Sequence, residues 1–196
     1  MNPHHFPEGY ILIGLSGYAR TGKDTVASIL GEFGLQRMAV ADKMREFLYQ
    51  LNPALNVPRA LGPITVQAVI DKHGWEGYKE TRFHNPIREL LQRLGGEATS
   101  VMRNSLWVDM LLDTAPQEGN GVAVADLRHT VEAEKIVAAG GHIWRVNRAG
   151  VGPYNSHSGE TELDGWDFDA VIHNNGTESE LYDTIVSLLD GIRRSA

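Results

Sequence analysis

Residues 10–23 read YILIGLSGYARTGK, an apolar run that breaks into a glycine-punctuated turn and ends in lysine. The run over 10–16 is short and apolar, the pattern of a strand buried on both faces. Gly17 to Lys23 then spells G-x-x-x-x-G-K. Beyond it, Val26, Ile29, Leu30 and Phe33 recur at helical spacing, so the turn opens an amphipathic helix over 23–33. Strand, glycine turn and helix in that order suit a polyphosphate. Glycines let the backbone wrap closely with its N–H groups inward, and the helix start adds the positive end of its dipole. Gly17, Ala19, Arg20, Thr21, Gly22, Lys23, Asp24 and Thr25 are therefore the candidate phosphate-binding residues, with Lys23 following charge across the β- and γ-phosphates. The hydroxyl that usually follows the lysine directly is displaced by one residue, because Asp24 precedes Thr25. Thr25 is a candidate ligand for Mg2+ or a phosphate. Asp24 either ligates Mg2+ through water or favours the helix N-terminus by its charge.

Outward from this turn the chain alternates strand and helix. A second strand is expected over 35–40 and a helix over 43–51, ended by Asn52-Pro53. Residues 53–63 read as a proline-rich loop, 65–73 as a short helix, and Trp75, Tyr78 and Phe83 mark an aromatic link. Helices follow over 86–94 and 105–114. Alternation then returns: strand 121–126, helix 130–139, strand 142–146, polar loop 150–165, strand 169–173 and helix 178–192. Five strands separated by helices predict an α/β fold of three layers, a five-stranded parallel sheet with helices on both faces, as in P-loop NTPases. The expected organisation is a disordered leader over 1–9 and a single kinase-type domain over 10–196. Within it lie an acceptor-binding helical region at about 41–115 and a lid loop at about 148–166.

Composition excludes several classes. The 196 residues contain no cysteine, which removes disulfides, thiolate metal sites and cysteine nucleophiles. The eight histidines show no metal-ligand spacing. No apolar run approaches the roughly 18 residues of a membrane helix, and the first nine lack the character of a secretory signal. A cytoplasmic protein is the simple reading. The net charge of −7 argues against a broad nucleic-acid-binding face.

A second acidic position ends the run Val122-Ala123-Val124-Ala125-Asp126. Beside a phosphate loop such an aspartate holds Mg2+; taken alone it is an N-cap. Arg128 and Glu132 follow at a spacing that shares one helical face. Transfer between two anions needs fixed positive charge, for which arginine is suited by its planar fork. Arg45, Arg88, Arg128, Arg145 and Arg148 are the candidates outside the loop. Arg148 ends a strand and opens a polar loop, as a mobile lid requires, whereas Arg145 within the strand reads as structural or solvated.

The segments GLSGYARTGKDTVA, VADKMREFL, IRELLQRLGGE with LWV, VADLRHTVEAE and DAVIHNNGT, in that order, resemble the phage-type deoxynucleoside monophosphate kinases. The resemblance spans about 11–181. It implies ATP and Mg2+ at Gly17 to Thr25, with Asn175 and Gly176 in a loop lining the adenine. It places Asp42 and Arg45 near the acceptor, Arg88 on the acceptor phosphate, and Gln92 and Trp107 near its sugar or base. Asp126, Arg128 and Glu132 would face the same pocket, and Arg148 would act from the lid. Two departures stand out: Lys43 where a proline is usual, and Gly96 where threonine is frequent. The partner implied is a small nucleotide, in the host cytoplasm if the chain is phage-encoded. A homodimer is compatible with the sequence.

The expected reaction is in-line attack by an acceptor phosphate oxygen on the γ-phosphorus of ATP, with Lys23, Arg128, Arg148 and Asp126 as the catalytic set. Three alternatives stay open at this level. One is a kinase of a hydroxyl acceptor, such as dephospho-coenzyme A or a sugar acid, with Asp42 as base. The others are a kinase of a modified base in DNA and a nucleotide switch without an acceptor.

Overall fold

The computed structural model describes residues 6–57, 62–153 and 161–195. The strand expected over 10–16 is β1 (Ile11–Ser16), buried along its whole length. It is followed by α1 (Lys23–Glu32), β2 (Leu35–Met38) and α2 (Val40–Leu51). The short strands β3 (Ala54–Leu55) and β4 (Ile64–Thr65), and helices α3 (Val66–Gly77), α4 (His84–Arg93), α5 (Thr99–Val101) and α6 (Leu106–Asp113), come next. The chain closes with β5 (Gly121–Val124), α7 (Thr130–Ala138), β6 (His142–Asn147), β7 (Ala170–His173) and α8 (Glu178–Ser195). It divides into two compact units, Met1–Val40 with Val108–Ala196, and Ala41–Trp107.

The first unit is built on a sheet in the order β2-β5-β1-β6-β7, with every pairing parallel. Such a sheet needs cover on both faces. On one face Ile11, Ile13 and Leu15 of β1 join Val26, Ala27, Ile29 and Leu30 of α1 and Leu181, Ile185 and Leu189 of α8 in a single core. The alternate residues turn to the opposite face, where Ile136 of α7 lies beside Gly141 and Leu12. This is the three-layer P-loop NTPase arrangement. Chain order reverses on either side of β1, so the crevice at its carboxyl end is the topological switch point where open α/β sheets take ligands. The residues from Gly17 onward stand there.

The second unit has its own core of Leu48, Leu55, Val66, Val69, Ile70, Tyr78 and Ile87, with Trp75 and Phe83 packed against it. The aromatic link is thus mainly core. Inside the expected loop 53–63, β3 forms and pairs antiparallel with β4 just beyond that loop, Leu55 opposite Ile64. Thr65 ends this ribbon and caps α3, its Oγ1 accepting from the Ala68 N–H at 3.4 Å. The helix runs past His73 to Gly77 because Gly74 adopts φ 70° and kinks it rather than ending it.

Two stretches with assigned expectations are only partly described. Of the leader 1–9, residues 1–5 lie outside the described residues; beyond them, Phe6 stacks on Tyr10 at 4.6 Å. Of the loop 148–166, residues 154–160 lie outside.

Candidate active site

Gly17 follows the last residue of β1 at φ 143°, and a side chain there would strike the Val146 carbonyl. Gly22 adopts φ 103° as the N-cap of α1 and supplies no side-chain cap. The first-turn amides of α1 are therefore left for an anion. Between these glycines Arg20 also takes a left-handed φ of 69°. Left-handed residues alternating with ordinary ones turn successive N–H groups into one concavity. The loop is braced from inside: Thr21 is fully buried, and its Oγ1 donates to the Tyr18 carbonyl at 3.0 Å. Asn174 braces it from outside, donating from Nδ2 to the Thr21 carbonyl at 2.9 Å, in space that a side chain on Gly22 would fill.

Lys23 reaches back across this loop. Its Nζ donates to the carbonyls of Gly17 at 2.7 Å and Tyr18 at 2.9 Å. Two carbonyls of the loop itself thus hold the ammonium against it. Asp24 lies in the first turn of α1, 84% exposed, with Oδ1 3.1 Å from the Arg37 guanidinium. Thr25 beside it is exposed, as are Ala19 and Arg20.

Asp126 lies just beyond β5, and its Oδ1 accepts the Val40 N–H at 2.7 Å. It caps α2 from a distance, which is why that helix starts at Val40 rather than Lys43. Arg128 is exposed. Glu132 turns back on its own helix: Oε2 accepts the N–H groups of Arg128 at 2.7 Å and His129 at 3.1 Å. Burial raises its carboxyl above the usual range, assisted by the charge of Asp126 and opposed by those two amides. The expectation for Glu132 was a side chain facing the acceptor; here its Oε2 atom is engaged by backbone. Glu162 occupies the next amide, accepting from Thr130 N–H at 2.8 Å and pairing with His129 Nδ1 at 2.9 Å. Burial works against its ionisation, but His129 and the Thr130 amide together hold it below the ordinary carboxylate range.

Arg145 is one of the few buried charges. It is ion-paired with Asp164 at 2.7 Å, hydrogen-bonded to Ser16, and stacked on Tyr18. Arg148 is exposed at the turn after β6, which Asn175 holds by accepting the Ala149 N–H at 2.7 Å. Tyr18, Asp164, Glu162 and Asn174 are thus contributors that motif reading did not assign to these contacts. The Glu three residues after His129 was a visible capping signal; the long-range partners were not.

In the second unit, Arg45 pairs with Asp42 at 2.8 Å and lies 6.0 Å from the Trp75 ring centroid. The Tyr78 phenol is pushed up by burial, and Lys79, Arg45 and Arg88 each pull it back. Arg45 of α2 and Arg88 of α4 therefore both lie within electrostatic reach of Tyr78. Gln92 is exposed one turn beyond Arg88. Trp107 is buried, edge-on to Phe47 at 6.0 Å, and among the described residues its Nε1–H has no acceptor.

A family model described as deoxynucleotide monophosphate kinase matches residues 76–185. The chain belongs to that family. The matched span begins well after Gly17 to Thr25, so the phosphate loop and the family match are separate observations. Deoxynucleotide monophosphate kinases are phosphotransferases, and this chain is a nucleotide kinase. It is also similar to a protein of Acanthamoeba polyphaga mimivirus provisionally named a deoxynucleotide monophosphate kinase. The two are 26% identical over 204 residues, covering 92% of this chain and 96% of the relative. Among solved structures, the shikimate kinase of Aquifex aeolicus matches with a TM-score of 0.47 and 14% identity, over 95% of this chain and 100% of that one. No described helix is long and apolar enough to cross a membrane.

Proposed function

We propose that this kinase transfers the terminal phosphoryl group of ATP to the phosphate of a deoxynucleoside monophosphate. The observation that carries the reading is the glycine-bounded loop at the carboxyl end of β1, with Lys23 Nζ held against it by two loop carbonyls. An acceptor phosphate oxygen forms the new bond to the γ-phosphorus as the bond to the β-phosphate bridging oxygen breaks, giving ADP and a diphosphate. The attacking oxygen is already ionised, so positioning and charge neutralisation do most of the work.

Lys23 and the loop amides bind the donor phosphates. Arg128 and Arg148, both exposed, supply further positive charge, and Asn175 and Gly176 contribute to the adenine side. In the second unit, Arg45 and Arg88 take the acceptor phosphate, with Asp42 orienting Arg45. Gln92 and Trp107 read sugar or base, and the unmet Trp107 N–H calls for an acceptor atom from a ligand.

The donors suit magnesium. Among the described residues no group of three or more His, Cys, Asp or Glu could cage a metal. Mg2+ needs no cage, since it binds through one or two carboxylates, water and substrate phosphates. Thr25, Asp24 and Asp126 are the residues that would hold it, and when bound it supplies neutralising charge between the phosphates.

The hydroxyl-acceptor reading required Asp42 as a base, and the commitment of its carboxylate to Arg45 counts against that role. The test is coupled ADP release with Mg-ATP against a panel of deoxy- and ribonucleoside monophosphates. Acceptor-dependent ADP formation with deoxynucleotides is expected. Turnover only with dephospho-coenzyme A or a sugar acid would refute it.

A further inference from the structure

We infer that Arg145, Asp164 and Tyr18 form a positioning device that sets the phosphate loop for ATP without touching the nucleotide. The inference rests on the reading of Gly17 to Thr25 as the ATP cradle, and adds three residues that reading does not use.

Arg145 pairs in register with Ser16, the last residue of β1 before the loop. It is only 6% exposed, and a guanidinium in that position is costly unless its donors are met. Here they are met in different directions. Nη1 donates to Ser16 Oγ at 3.2 Å, Nε to Asn147 Oδ1 at 3.3 Å, and Nη2 to Asp164 Oδ1 at 2.7 Å. Its planar face lies 4.6 Å from the centre of the Tyr18 ring, and Phe168 stands 5.7 Å away. The other oxygen of the same carboxylate, Asp164 Oδ2, accepts the Tyr18 hydroxyl at 2.7 Å. One aspartate thus bridges the guanidinium and the phenol.

Tyr18 connects this bridge to the loop interior. While its ring is clamped, its carbonyl accepts from Lys23 Nζ at 2.9 Å, from Thr21 Oγ1 at 3.0 Å and from Thr21 N–H at 3.4 Å. Wherever Tyr18 sits, the anchor of the lysine and the pitch of the loop follow. Phosphate cradles tolerate little error, since misplacing reacting groups by about 1 Å can cost about a hundredfold. An apolar cluster would fill the same space at lower desolvation cost, but it would not fix direction. The rigid fork of arginine fixes several directions at once. The Asp164 hydrogen bond, with burial behind it, also holds the Tyr18 phenol above its usual range.

The experiment compares Tyr18→Phe, Asp164→Asn, the double variant and Arg145→Lys with the wild-type chain. Binding of Mg-ATP is measured by titration calorimetry, alongside thermal melting. A hydrogen bond to a charged group, discounted for partial exposure, predicts about fivefold weaker ATP binding in each of the first two variants. The double variant should bind no more weakly than the worse single one, because both changes sever the same contact. Arg145→Lys keeps the charge but loses the flat face and should fall in the same range. Wild-type-like ATP binding in Tyr18→Phe, whether or not its melting point drops, would overturn the inference alone. So would additive losses in the double variant. A wild-type chain that binds no ATP would overturn the proposed function and this inference together.

Discussion

Replacing Gly22 with alanine probes the hinge of the candidate site, and its cost can be worked from two local terms. Gly22 sits at φ 103° and ψ 19°, where an L-residue loses about 1–2 kcal/mol relative to glycine. The added methyl also meets Asn174 Nδ2, which donates to the Thr21 carbonyl at 2.9 Å. Expelling that amide forfeits about 1 kcal/mol. The sum is about 2–3 kcal/mol, and a protein of this size loses about 2–4 °C of melting temperature per kcal/mol. Gly22→Ala should therefore melt about 5–10 °C below wild type in a thermal scan, whereas Asn174→Ala should lose only about 3 °C. The combination is the informative case. With Asn174 already truncated, the methyl displaces nothing further, so the double variant should melt near Gly22→Ala. A Gly22→Ala variant melting with wild type, or a double variant showing the full sum, would refute the reasoning.

Lys23→Ala should keep the fold and reduce kcat by about 10²–10³, as expected for loss of a group aimed at transition-state charge; near-normal turnover would remove Lys23 from the mechanism. Arg88→Ala should raise KM for the monophosphate by about 10- to 100-fold, the worth of charge-assisted bonds to phosphate, and leave KM for ATP unchanged; steady-state kinetics with each substrate varied separates the two. Glu132→Gln tests a pH effect. The native carboxyl of Glu132 is held above its unfolded value, so its contribution is complete below the unfolded pKa and declines as pH rises through the raised native one. Glutamine still accepts the Arg128 and His129 amides but does not titrate, so the variant should lose less stability than wild type as pH rises above the ordinary carboxylate range. Parallel urea melts of both chains at a series of pH values, from acid upward, check it.

The sheet and the loop were legible because their signals are local. Glycine spacing after an apolar run and helical recurrence of Val26, Ile29 and Leu30 require only neighbouring residues. The helix boundary at Val40 was hidden, since its cap is Asp126, remote in sequence. Arg145 read as structural or solvated, and it is structural; nothing near it in sequence indicates a bridge to Tyr18 through Asp164. Glu132 illustrates the limit of pattern matching. Its spacing from Arg128 predicts a shared helical side, but α7 begins only at Thr130, and Glu132 Oε2 turns back to the amides of Arg128 and His129 before it. The β3–β4 ribbon, with one strand inside the proline-rich stretch and one just after it, was likewise invisible, because each strand is only two residues long.

The stretch Ala41–Trp107 interrupts a sheet-forming chain and carries an apolar interior of its own. A core substitution at Leu48, Val66 or Ile87 therefore falls on residues distinct from those that pack β1 against α1 and α8, and its cost is borne first by that local interior.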